Sequence, residues 1–162
     1  MITTSTSGQQ LQLASSVMAS PGLIRLVSEI DDNGAIPERG LACTLGDLST
    51  HQIRQATEQA DTLELLDQSY AGLELTAAGQ GLADVYDATA RWARRHNYPS
   101  AQSDFAGRIR HTFALLDAQA GARSGLVDNR ADAGLAHVRI LLTEWMDTHQ
   151  PQPGRDTFGP AA

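Results

Sequence analysis

Six neighbouring residues carry the densest hydrogen-bonding chemistry of the chain: Ser49, Thr50, His51, Gln52, Arg54 and Gln55. Ser49 has the side chain of an N-cap. In the run after it, Ile53, Ala56 and Ala60 share one helical face, while Thr50, His51, Arg54, Gln55 and Glu58 share the other. Long polar side chains at the start of a helix suit base edges in a major groove, where Arg pairs with guanine and Gln with adenine, and they also grip phosphates. The plainer alternative is a solvated helix face. Tyr70 lies in a turn further on, where its ring would rest either on a sugar or phosphate or on its own strands.

The elements that must position these residues follow from hydrophobic spacing. Leu11, Leu13, Val17 and Met18 predict one short helix, and Leu23, Leu26, Val27 and Ile30 a second, with a break at Pro21-Gly22 and a stop at Asp31-Asp32-Asn33-Gly34. Leu41 to Leu45 makes one or two helical turns before Ser49. Alternating leucines over 63–66 and 72–75 predict a small hairpin with 67–71 as its turn. Thr76 then caps a long helix with a stripe of Leu82, Val85, Tyr86, Thr89, Trp92, Ala93 and His96. Two further helices follow Pro99, one with Phe105, Ile109, Phe113 and Leu116, the other with Leu135, Val138, Leu142, Trp145 and Met146. The segment 121–129 separates them.

This order predicts a mainly α fold, a winged helix-turn-helix with a two-stranded wing and extra C-terminal helices. Its expected divisions are a disordered tail over 1–8, the winged domain over 9–97, accessory or dimerisation helices over 98–149 and a disordered tail over 150–162. The segment LTAAGQGLADVYDATARWA, with Leu75, Thr76, Gly79, Leu82, Val85, Trp92 and Ala93, resembles the HxlR group of bacterial winged-helix regulators, relatives of MarR. Leu48-Ser49 and Ile53 are similar to that group's entry into its recognition helix, so the resemblance covers roughly residues 10 to 97. Thr62-Leu63-Glu64 stands where the group has Gly-Leu-Val. The resemblance implies a transcriptional regulator that binds double-stranded DNA as a homodimer through its terminal helices, on a pseudo-palindromic operator. The stripes on the last three helices also look too extensive for one small domain to cover.

A small-molecule effector would fit between the long helix and the C-terminal helices, lined by Tyr86, Trp92, Phe105, Phe113 and Trp145; packed core is the alternative for each. Arg91, Arg94 and Arg95 form one dense basic cluster, suited to DNA flanks, to the acidic body of a second subunit, or to water alone.

Charge argues the other way. The net charge is −7, every one of the twelve basic residues is Arg, and residues 22–97 hold six arginines against twelve carboxylates. Phosphate affinity comes mainly from basic contacts, so an acidic winged-helix adaptor that binds a protein partner and no DNA is the alternative function.

Several classes are not expected. The single Cys43, set among Leu41, Ala42 and Leu45, reads as a buried inert thiol without a disulfide partner. His51, His96, His111, His137 and His149 show no ligand spacing, so no metal or other cofactor is expected. No nucleophile elbow, phosphate loop or paired-carboxylate pattern stands in its required context, so no enzyme is expected. The stretch MITTSTSGQQ has neither the basic nor the apolar region of a secretory signal, and no apolar run reaches the roughly 20 residues of a membrane span, so a cytoplasmic location is expected.

Overall fold

A computed structural model describes residues 15–121 and 129–149. Leu11, Leu13 and both tails expected to be disordered lie outside the described residues. The chain is mainly helical, with one small antiparallel sheet.

After a helical turn at 15–18, helix α1 spans Pro21–Asn33. Proline suits the first position, where its fixed φ is already helical and its missing N–H would have had no partner. The helix stops where Gly34 takes φ 88° and donates its N–H to the Ile30 carbonyl. Leu23, Ile24, Leu26, Val27 and Ile30 are buried. Ile36 then runs antiparallel to Leu73, each donating its N–H to the other's carbonyl at 3.1 and 2.8 Å. A 3-10 turn at Glu38–Gly40 leads into the short helix α2, Leu41–Thr44, and then into α3, Thr50–Thr62.

Strands β1, Leu66–Ser69, and β2, Gly72–Leu75, pair in the register Leu66 with Leu75 through Ser69 with Gly72. The first strand therefore starts three residues later than the expected 63–66. Helix α3 persists to Thr62, and Leu63 and Glu64 (φ 56°) turn the chain so that Leu65 is fully buried ahead of the strand. Gly72, at φ 123°, lies so close to the Ile36 carbonyl that any Cβ would collide with it.

Helix α4, Ala77–Arg95, begins at Thr76, whose hydroxyl accepts the Gly79 N–H at 3.1 Å. A Cβ at Gly79 would collide with the Leu65 carbonyl, so glycine lets the first turn of α4 sit on the end of the α3–β1 connection. Helices α5, Phe105–Gly121, and α6, Asn129–His149, complete the chain. Helix α6 runs antiparallel to α4, and each helix sets a tryptophan on the other's glycine. A Cβ at Gly134 would stand 2.7 Å from Trp92, and one at Gly81 would stand 3.0 Å from Trp145. The Trp145 indole also donates to the Ala78 carbonyl at 2.8 Å.

Three expectations are corrected by this packing. The stripes judged too extensive for one domain bury one another: Leu82, Val85, Tyr86, Trp92, Ile109, Phe113, Leu116, Leu135, Val138, Leu142 and Trp145 join α1 in a single core. His96 leaves the stripe and is exposed, because α4 ends at Arg95. Cys43 is exposed rather than buried, since four-residue α2 turns only Leu41 and the following Leu45 inward.

Leu82 is fully buried, whereas Gln55 is exposed on α3. Leu82→Asp should abolish cooperative folding, at a cost of several kcal/mol, while Gln55→Ala should stay within about 0.5 kcal/mol of wild type. Gly79→Ala should fall between them, at about 1–3 kcal/mol. Thermal melts of the three variants check the order, and equal melting temperatures for Leu82→Asp and Gln55→Ala would contradict this packing.

Candidate nucleic-acid interface

The exposed side of α3 is set by what its other side buries. Ala56 and Ala60 are buried and Ile53 is half-buried. Helix α1 comes close enough that a Cβ on Gly22 would meet the Ala56 Cβ at 3.3 Å and the Gln52 carbonyl at 3.4 Å. Thr50, His51, Arg54, Gln55 and Glu58 are consequently exposed.

Ser49 and Gln52 have a different occupation. The Ser49 hydroxyl accepts the Gln52 N–H at 3.1 Å, and the Gln52 side-chain oxygen accepts the Ser49 N–H at 2.8 Å. This capping box satisfies two donors that a helix start leaves without partners. Both side chains are exposed, but their acceptor oxygens are already committed to the backbone. Thr50, His51, Arg54 and Gln55 remain as the reaching groups. Among the described residues Arg25 alone makes ion pairs, with Glu29 and Asp47, so the Arg54 guanidinium is uncommitted.

Tyr70 occupies the β1–β2 turn and is fully exposed, with no packing on its own strands. The Ser69 hydroxyl holds the turn, accepting the Ala71 N–H at 3.1 Å and donating to the Gly72 carbonyl at 3.3 Å. The hairpin is acidic. Asp67 stands directly across from Glu74, and Gln68 donates to Glu38 on the 3-10 turn. Glu58, Asp61 and Glu64 are exposed as well. Positive and neutral groups thus gather at the start of α3, and carboxylates along its second half and the hairpin. The facing of Asp67 and Glu74 depends on strand register, which the shifted β1 hid from sequence reasoning.

Neither of two grooves among the described residues joins the five aromatic residues expected to line an effector site. Tyr86, Trp92, Phe113 and Trp145 are core, and Phe105 is half-buried. Tyr86 donates to the Met18 carbonyl at 2.6 Å, and burial pushes its phenol well above the usual range. A groove of about 470 Å³ between the 15–21 segment and α5 meets only Phe113 of this set, and one of about 240 Å³ between α4 and α6 meets only Trp145. Aromatic residues at helical spacing pack against other helices wherever such helices exist, and α5 and α6 supply them.

A second charged feature lies behind the hairpin. The C-terminal end of α1 brings Asp31 and Asp32 to Asp84 and Asp87 of α4. Desolvation raises the Asp31 carboxyl, and the charges of Asp32 and Asp84 add to it. Asp87 is raised by desolvation and by Asp31, Asp32 and Asp84, against a lowering from Arg91. Among the described residues no group of three or more His, Cys, Asp or Glu is arranged to hold a metal, and no helix is long and apolar enough to cross a membrane. In comparisons with known proteins, the chain matches no family model, no curated protein and no solved structure.

Two outcomes are expected. Ser49→Ala removes the cap and should cost about 1 kcal/mol in a denaturant titration; an unchanged midpoint would show the box to be idle. For the carboxylates the sign follows from linkage. A carboxyl whose pKa is higher folded than unfolded holds more protons in the folded state between the two values, so stability falls as pH rises through that window. The gain in melting temperature on lowering the pH from about 7 to about 4, the ordinary aspartate range, should therefore be smaller in Asp87→Asn than in wild type. Identical pH dependence in both proteins would remove the repulsion argument.

Proposed function

We propose that residues 21–95 form a winged helix-turn-helix and that the chain is a DNA-binding transcriptional regulator. The observation that carries this reading is α3 itself: a helix closed by a capping box, buried on its alanine face and presenting Thr50, His51, Arg54 and Gln55 freely at its first two turns. A recognition helix meets base edges with those N-terminal positions. Support also comes from the Ile36–Leu73 bridge, which ties the segment between α1 and α2 to the hairpin as a third short strand would. In this reading Arg54 donates to a guanine, His51 and Gln55 reach neighbouring bases, Thr50 approaches a phosphate and Tyr70 rests on the backbone beside the groove. Ser49 and Gln52 hold the helix start in place. A homodimer on a pseudo-palindromic operator completes the proposal, since two half-sites multiply the specificity of one short helix. The proposal includes no effector, since four of the five aromatic residues expected to line its site are buried as core.

One observation favours a second reading, an adaptor that docks a protein. Like charges directly opposite on a hairpin destabilise it, and Asp67 and Glu74 are so placed on the element that should lie along phosphates. A basic partner would relieve both.

Arg54 is the only arginine on α3, so no neighbour on that helix can replace its paired donors. Arg54→Ala should therefore lose about 1–3 kcal/mol of operator affinity while keeping its melting temperature. Fluorescence anisotropy against the chain's own upstream region, repeated over a salt series, measures it. Equal operator affinity in variant and wild type would show Arg54 to be merely solvated. Absence of wild-type binding to any duplex at low salt would decide for the adaptor.

A further inference from the structure

The exposed stripe of α4 is divided by charge. Asp84 and Asp87 lie on its N-terminal half and Arg91, Arg94 and Arg95 on its C-terminal half, all exposed and at three- and four-residue spacing. None of the three arginines makes an ion pair among the described residues. Asp84 and Asp87 meet further carboxylates from α1, and among the described residues only Arg91 opposes their repulsion at Asp87. Asp87 and Arg91 are one turn apart and interact without closing an ion pair, while Asp84 and the pair Arg94 and Arg95 lie too far along the same helix to meet.

We propose that two copies of this chain associate through this stripe, with their α4 helices antiparallel about a two-fold axis that passes the exposed side of α4 at the level of residues 88 and 89. In that arrangement Asp87 faces Arg91 of the partner subunit and Asp84 faces Arg94 of the partner subunit, and symmetry repeats both pairs. A two-fold contact requires a surface complementary to itself, and a stripe that changes sign at its midpoint meets that requirement only when antiparallel. Ala88, half-exposed at the crossing, has too small a side chain to hold the helices apart.

Helix α6 adds an apolar element. Apart from Tyr70, Ile140 is the exposed large hydrophobic residue among those described, and it lies on the side of α6 away from the buried Val138 and Leu142. Because Trp145 sits on Gly81 and Trp92 on Gly134, the antiparallel register puts Ile140 level with the middle of α4.

The inference deepens the homodimer part of the proposed function and does not depend on DNA binding. It differs from association through apolar terminal helices, because ion pairs at an accessible interface are screened. The Debye length falls from about 30 Å at 0.01 M salt to about 3 Å at 1 M. Sedimentation velocity of the full chain should show a dimer at low salt whose dissociation constant rises at least about tenfold on going to high salt.

Charge reversal supplies the specific test. The double variant Arg91→Glu with Arg94→Glu makes the stripe wholly acidic, and Asp84→Arg with Asp87→Arg makes it wholly basic. Each alone should be monomeric at low salt, and an equimolar mixture should form a heterodimer. Circular dichroism confirms that each variant stays folded, and if either unfolds the corresponding alanine pair replaces it, with weakened dimerisation expected. Tyr70→Ala should leave the association unchanged. A wild type that is monomeric at low salt would overturn both the inference and the homodimer. A dimer that survives either reversal would overturn this interface and leave the homodimer standing on another surface.

Discussion

Helix α4 has to be covered on most of its circumference, and the placement of every other element follows from how that is done. Ten of its nineteen residues are buried, among them Leu82, Tyr86, Thr89 and Ala93. No single neighbour can cover so wide a face, so α1, α5 and α6 pack round it while β2 abuts its N-terminal end. Close approach is obtained with small residues: Gly79 under the Leu65 carbonyl, Gly81 under Trp145, and Gly134 over Trp92. The orientation of α3 is then inherited. It packs on α1 through Gly22 and Ala56, α1 packs on α4, and the polar start of α3 is left facing away from the core.

Charge is distributed with the same economy of position. The chain carries a net −7, yet the first two turns of α3 contain Arg54 and His51 and no carboxylate. Net charge governs long-range encounter, whereas a bidentate contact depends on the few groups within hydrogen-bonding distance. If α3 reads DNA as proposed, a negative body with a neutral-to-basic start of α3 implies weak nonspecific attraction to DNA, and affinity that rests on sequence-specific contacts. The same separation of signs along α4 is what makes its exposed stripe complementary to itself.

The parts of the fold legible in the sequence are those decided by local side-chain chemistry. Ser49 and Thr76 are N-caps because a hydroxyl three residues before a backbone N–H can accept from it whatever the tertiary context. Helix α4 is legible because its stripe repeats over more than four turns. What was hidden depends on distant partners. The β1 boundary moved because Glu64 takes a positive φ to bring Leu65 beneath Gly79. Gln52 looks like a base reader until its oxygen is found on the Ser49 N–H. Cys43 looks buried by its apolar neighbours, but a four-residue helix is too short for composition to define a face. The burial of Tyr86, Trp92, Phe113 and Trp145 depends on α5 and α6 packing on α4, which their spacing alone does not decide.

The connection between α4 and α5 makes these helices act as one body. Arg108 on α5 is buried and has no carboxylate partner among the described residues. Its guanidinium donates instead to four carbonyls, those of Ala93, Tyr98, Ala101 and Ser103, at 3.1–3.2 Å. Burying a charge costs several kcal/mol unless its donors are satisfied, and the negative end of the α4 dipole, at Ala93, is a favourable place for it. Any rotation of α5 relative to α4 would strip those bonds from a buried cation, so the two helices resist independent movement. Two copies paired along α4 would then hold their α3 helices at one separation, fixed by packing that runs from Arg108 through α4 and α1 to Ala56. In the proposed regulator, an α3 carried on such a frame would gain specificity from the spacing between half-sites as well as from the bases at each.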